Sequence, residues 1–132
     1  MLIFGAKDLP TPNFFSVESV EDIKKSSPKD IVLLKSFNSP YKLAKYCQAN
    51  DIVYAVDIDN IKEAVFASNL GASFVICSFE LAKELQKVAD NYLWDTKVLA
   101  KISSEDEIEE VALSGVDGAI LEAESSKHKA KS

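Results

Sequence analysis

The stretch Gly71–Ser103 reads GASFVICSFELAKELQKVADNYLWDTKVLAKIS. Ser73–Ser78 and Lys97–Ser103 are short, largely apolar runs of strand length, and between them Leu81, Leu85, Val88, Ala89 and Tyr92 recur at helical spacing. A strand, a helix and a second strand in so little chain form a βαβ unit, whose two strands run parallel. Neither strand alternates apolar with polar residues, which suits strands covered on both faces.

The unit repeats to either side. Ile31–Phe37, Ile52–Ile58 and Gly118–Glu122 are further apolar runs, and from Asp30 onward the runs begin about 21 to 24 residues apart. Leu2–Ala6, with a helix near Val17–Lys25, starts the series and brings the expected total to five or six strands with five helices. The punctuation agrees. Ser39 caps a helix that begins at Pro40, where a missing N–H is harmless. Gly71 and Gly115 close helices in the left-handed conformation, and Ser104 with Glu107 fits a capping box. Leu9–Phe15, with Pro10 and Pro12, reads as an ordered connection without a helix. Residues 1–123 are expected to form one α/β domain, and residues 124–132 a flexible Ser/Lys-rich tail.

Composition narrows the function. With 47% hydrophobic and 27% charged residues, the 132-residue chain can build a core without disulfide or metal staples. No run approaches the roughly 20 apolar residues that cross a bilayer, and Met1–Ala6 is too short for the apolar part of a signal peptide. A cytoplasmic location is expected, with Cys47 and Cys77 as reduced thiols. The net charge is −6, and three of the 15 basic residues, Lys127, Lys129 and Lys131, lie in the tail. All 15 are lysines, so an acidic body lacks the arginine forks that grip phosphate and guanine, and nucleic-acid binding is not expected.

Ligands of parallel α/β sheets meet the carboxyl ends of the strands. Those ends carry Lys35 and Ser36, Asp57 and Asp59, Cys77 and Ser78, Lys101 with Ser103 and Ser104, and Glu122. Lys35 and Lys101 facing one another near Asp57 in a dry crevice would offer a base or a Schiff-base nucleophile; the plainer alternative is two lysines reaching water and an aspartate capping a helix. Cys77 is either a thiol activated by a helix start or a small core residue. Ser78, Ser103 and Ser104 are candidate ligand-binding residues, with helix capping as their competing duty. The lone His128 sits in the tail, which removes Ser-His-Asp and Cys-His chemistry from the fold and leaves zinc without a ligand set. Magnesium on Asp57 and Asp59 is disfavoured on the expectation that the two side chains diverge along the strand. Four glycines, Gly5, Gly71, Gly115 and Gly118, form no phosphate loop.

Val32–Tyr41, VLLKSFNSPY, resembles the lysine-bearing strand and helix start of indole-3-glycerol-phosphate synthases, which are phosphate-binding (βα)8 barrels. GASFVICS at Gly71–Ser78 and SGVDGAIL at Ser114–Leu121 are similar in rhythm to the second half of such barrels. The resemblance implies a catalytic role for Lys35. The sequence departs from that family at Cys77-Ser78-Phe79, at Lys101-Ile102-Ser103 and at Glu122, where a phosphate-binding glycine would stand. A second resemblance is to response-regulator receiver domains, which implies an Asp57, Ser78 and Lys101 set but lacks the paired acidic residues that would hold magnesium.

The fold expected from these readings is a mainly parallel sheet of five or six strands with helices on both faces, of the flavodoxin or receiver type. Half of a (βα)8 barrel, paired with a second copy into a homodimer, is the alternative. The expected function is a non-catalytic binding or assembly module with a small anionic ligand. A lyase-type enzyme acting on a phosphorylated substrate through Lys35, Asp57 or Lys101, and a degenerate receiver-like signalling domain, are the alternatives. No cofactor and no metal are expected.

Overall fold

A computed structural model describes residues 1–35 and 41–121, so the expected cap at Ser39 and Pro40, Ser36, Glu122 and the tail lie outside the described residues. The chain runs β1 (Leu2–Phe4), β2 (Phe14–Val17), α1 (Val20–Lys25), β3 (Ile31–Leu34), α2 (Tyr41–Ala49) and β4 (Tyr54–Asp57). It continues through α3 (Ile61–Asn69), β5 (Phe74–Ser78), α4 (Phe79–Asn91), β6 (Lys97–Ile102), a 3₁₀ turn (Glu105–Glu107), α5 (Ile108–Ser114) and β7 (Gly118–Leu121).

All seven strands pair in parallel, in the order β1-β7-β6-β5-β4-β3-β2. Two expectations are corrected by this order. The sheet has seven strands rather than five or six, because Phe14–Val17 is a strand of its own where an extended connection and an early helix were expected. Ser19 instead caps a shorter α1, its hydroxyl accepting the Asp22 N–H. The sheet is also not doubly wound. From β2 to β7 every strand lies beside its successor, and repeated right-handed crossovers in one direction place the helices on one face.

The bare face is buried by curling the sheet on itself, the half-barrel alternative. Every strand contributes an inward residue to one cluster: Phe4, Phe14, Ile31 and Leu33, Ala55, Phe74 and Ile76, Leu99, and Ile120. The outer strands β1 and β2 do not hydrogen-bond to each other, yet their Phe4 and Phe14 rings meet edge to face with centroids 5.1 Å apart. Phe74 meets both rings, at 5.4 and 6.1 Å. The seam is therefore bridged by side chains. Residues one step along each strand, such as Val32, Val56, Val75, Val98 and Ala119, face the helices in a second, larger cluster.

Several caps follow the expected punctuation. Gly71 and Gly115 adopt φ of +87° and +86° at helix ends, and Ser104 and Glu107 form a reciprocal capping box. α4 is different. It ends through Tyr92 and then Leu93, which takes φ of +54° where glycine would be unstrained.

Candidate functional site

Strand alternation puts the chemistry one layer above the inner cluster. Lys35 follows Leu33 by two residues, Asp57 follows Ala55, Ser78 follows Ile76 and Lys101 follows Leu99, so all four lie on the inner face at the carboxyl ends of β3 to β6. Lys101 Nζ lies 3.0 Å from Asp57 Oδ1, across the intervening β5. The two side chains keep 29% and 18% of their full exposure, so the pair is half-sheltered rather than fully solvated.

Burial dominates the Asp57 carboxyl and holds its pKa above the ordinary carboxylate range. The hydrogen bond and charge of Lys101, and the charge of Lys35, oppose that rise, while Asp59 reinforces it. Asp57 thus feels both lysines expected beside it, and touches Lys101. Asp59 stands apart for a reason other than the one anticipated. Alternate residues of a strand point the same way, but β4 ends at Asp57, and the Asp59 N–H turns to donate to the Glu63 carboxylate at 2.8 Å. Among the described residues no group of three or more metal-ligating side chains converges.

Cys77 points to the helix side, fully buried, and burial pushes its thiol up to about 12, with Lys101 pulling down and Asp57 pushing up more weakly. That is the core-residue alternative, because a thiol held protonated is a poor nucleophile. Cys47, also buried, is pushed up to about 11. Ser78 caps α4, its hydroxyl accepting the Leu81 N–H at 3.2 Å. At the β6 end a single carboxylate oxygen of Glu107 accepts from the Ser103 N–H, the Ser103 hydroxyl and the Ser104 N–H at 2.9 to 3.0 Å. The donors offered there to an anion are thus engaged by the chain's own carboxylate, and these bonds hold Glu107 below the usual carboxylate range.

The opposite end of the sheet drew no attention from the sequence. There Asp117 accepts the Val98 N–H through its side chain at 2.9 Å and donates its own N–H to Gln86 Oε1 at 2.9 Å. Thr96 donates its hydroxyl proton to the Ala72 carbonyl at 2.6 Å. Beside these bonds a cavity of about 540 Å³ opens among the first residues of β1, β5 and β6. The one signal for this region was a helix end, Asn91-Tyr92-Leu93, without the glycine that ends its neighbours.

No family model matches the sequence, and no curated protein matches it. Among solved structures the chain is similar to N-acetylmannosamine-6-phosphate 2-epimerase from Clostridium perfringens, with 18% identity over 77% of this chain and 52% of that one, at a TM-score of 0.59. The chain spans about half the length of that structure. At this identity the likeness concerns fold, and it agrees with part of a (βα)8 barrel. No described helix is long and apolar enough to cross a membrane.

Proposed function

We propose that the carboxyl end of the curled sheet is a small-molecule site whose chemistry is proton exchange at a carbon next to a carbonyl. Asp57 serves as the base, and Lys101 steadies the charge that develops on the carbonyl oxygen. The observation that carries this reading is the half-sheltered 3.0 Å pair, with the carboxyl above its ordinary pKa range. A carboxylate raised by burial is a stronger base than one on the surface, and its proton transfer is better matched to neutral pH. The inner layer below, with Leu33, Ile76 and Leu99, keeps the underside of the pair dry.

Phosphorylated sugars are the first substrates to try, because a solved structure similar in fold is named for an epimerase of one. The test is deuterium incorporation from heavy water into a panel of sugar phosphates, followed by proton NMR. Exchange that drops by about 10² or more in Asp57→Asn and in Lys101→Met supports the reading. Absence of exchange, with no ligand moving the Asp57 or Lys101 resonances, removes it. Borohydride trapping at Lys101 or Lys35 would instead point to Schiff-base lyase chemistry.

A non-catalytic binding or assembly module is the second reading. It is supported by the direct 3.0 Å contact of Lys101 with Asp57, which satisfies both charges within the chain and leaves neither committed to a reaction. Resonance shifts at Lys35, Asp57 and Lys101 on ligand addition, without deuterium exchange, would select it.

A further inference from the structure

The large apolar side chains that stay in water are unevenly placed. Of nine among the described residues, Leu9, Val65 and Phe66 lie elsewhere, whereas Met1, Leu2, Val53, Tyr92, Leu93 and Leu113 lie where strands begin or helices end, at the amino end of the sheet. Leu93 is 86% exposed and Tyr92 70%. Leu93 holds this position at φ of +54°, a backbone conformation that glycine adopts without strain and leucine does not. With Tyr92 beside it, Leu93 leaves apolar surface at this end that the fold itself does not cover.

The matching hollow lies a few residues along the chain. The 540 Å³ cavity is lined by Leu2 and Phe74 on its apolar side and rimmed by Ser73, Asp95 and Lys97. A volume of this size takes a drug-sized ligand, and so more than one apolar side chain. Knob and hollow are held in fixed relation. Trp94, packed on the helix-side core, donates its backbone N–H to the Ala89 carbonyl at 2.9 Å, and the Thr96 hydroxyl donates to the Ala72 carbonyl. Asp95 and Lys97 are both exposed, carry opposite charges and join neither ion pair among the described residues.

A protruding apolar residue, a hollow and two unpaired opposite charges on one face are the components of a self-complementary contact. We propose that the amino end of the curled sheet docks against a second copy of this chain. In this twofold contact Leu93 of each copy enters the Leu2–Phe74 hollow of the other, and Lys97 of each faces the other's Asp95. The contact is independent of the carboxyl-end site and leaves both copies of that site open.

The test is mass by light scattering on the full chain at high micromolar concentration, where twice 14.5 kDa is expected. Leu93→Gly removes the knob while relieving the backbone, so the fold is retained, as circular dichroism will show, and the mass should halve. Asp95→Lys alone and Lys97→Asp alone should each give monomer, and the double swap should restore the dimer. A wild-type monomer at that concentration overturns the proposal. So does a dimer that survives Leu93→Gly, which would point instead to pairing through the open edges of β1 and β2.

Discussion

At the carboxyl end of the sheet the inner-face positions beyond the apolar layer are Lys35, Asp57, Ser78 and Lys101; at the amino end the corresponding positions are Leu2, Lys97 and Gly118. The same two-residue alternation generates both sets. At one end it delivers a charged pair into a half-sheltered mouth, and at the other it sets Leu2 and Lys97 at the lining of a hollow. Between them lies a thin apolar cluster, with one or two inward residues per strand, so each end is close to the core. That closeness explains why Asp57 feels burial although water reaches it, and why a cavity can open beside Phe74 without breaching the fold.

The strongest way to break the contrast is to remove the layer that separates the ends. Phe14→Ala takes away the ring that meets both Phe4 and Phe74 across the seam, and should cost about 3–5 kcal/mol in urea denaturation. A smaller loss is expected at the amino end from Gly118→Ala. Its new Cβ would stand 2.5 Å from the Leu2 carbonyl oxygen and 2.8 Å from Leu99 Cδ2, an overpacking cost of about 1–3 kcal/mol. Gly115→Ala is the control. It has open space but keeps a φ of +86°, so about 1 kcal/mol is expected from backbone strain alone.

At the carboxyl end, Lys101→Met strands a half-sheltered carboxylate. Partial exposure places the expected loss at neutral pH at about 1–2 kcal/mol, below that of a fully buried pair. The smallest effect is in pH dependence, where two carboxylates of this end should pull in opposite directions. The folded pKa of Asp57 is raised, so its contribution is complete below the unfolded pKa and fades as pH rises through the folded one. Glu107 is lowered, so its contribution is present above the unfolded pKa and fades as pH falls through the folded one. Urea midpoints followed upward from the ordinary carboxylate range should show Asp57→Asn gaining on wild type as pH rises. Glu107→Gln should gain as pH falls.

Much of this contrast was legible in the residues. The βαβ rhythm gave parallel strands from Ile31 onward because uninterrupted apolar runs and a 3.6-residue stripe are hard to satisfy otherwise. The grouping of Lys35, Asp57 and Lys101 followed from strand direction alone. Phe14–Val17 was missed as a strand because four residues after Pro12 carry too short a pattern to separate from a loop. The sequence does not separate a curled sheet from an open one, because both forms use the same βαβ units; what decides between them is strand order and whether inward residues from distant strands, such as Phe4 and Phe14, can meet. The amino-end hollow left almost no trace in the sequence, since Leu2, Ser73, Asp95 and Lys97 come from three separate strand starts.

The most direct test of the carboxyl-end site is a carbon-13 NMR titration of the Asp57 side-chain carboxyl, in wild type and in Lys101→Met. A midpoint above the ordinary aspartate range that climbs further when the ammonium is removed is the predicted result. A midpoint within or below that range in the wild type would contradict it, leaving Asp57 and Lys101 as a solvated surface pair.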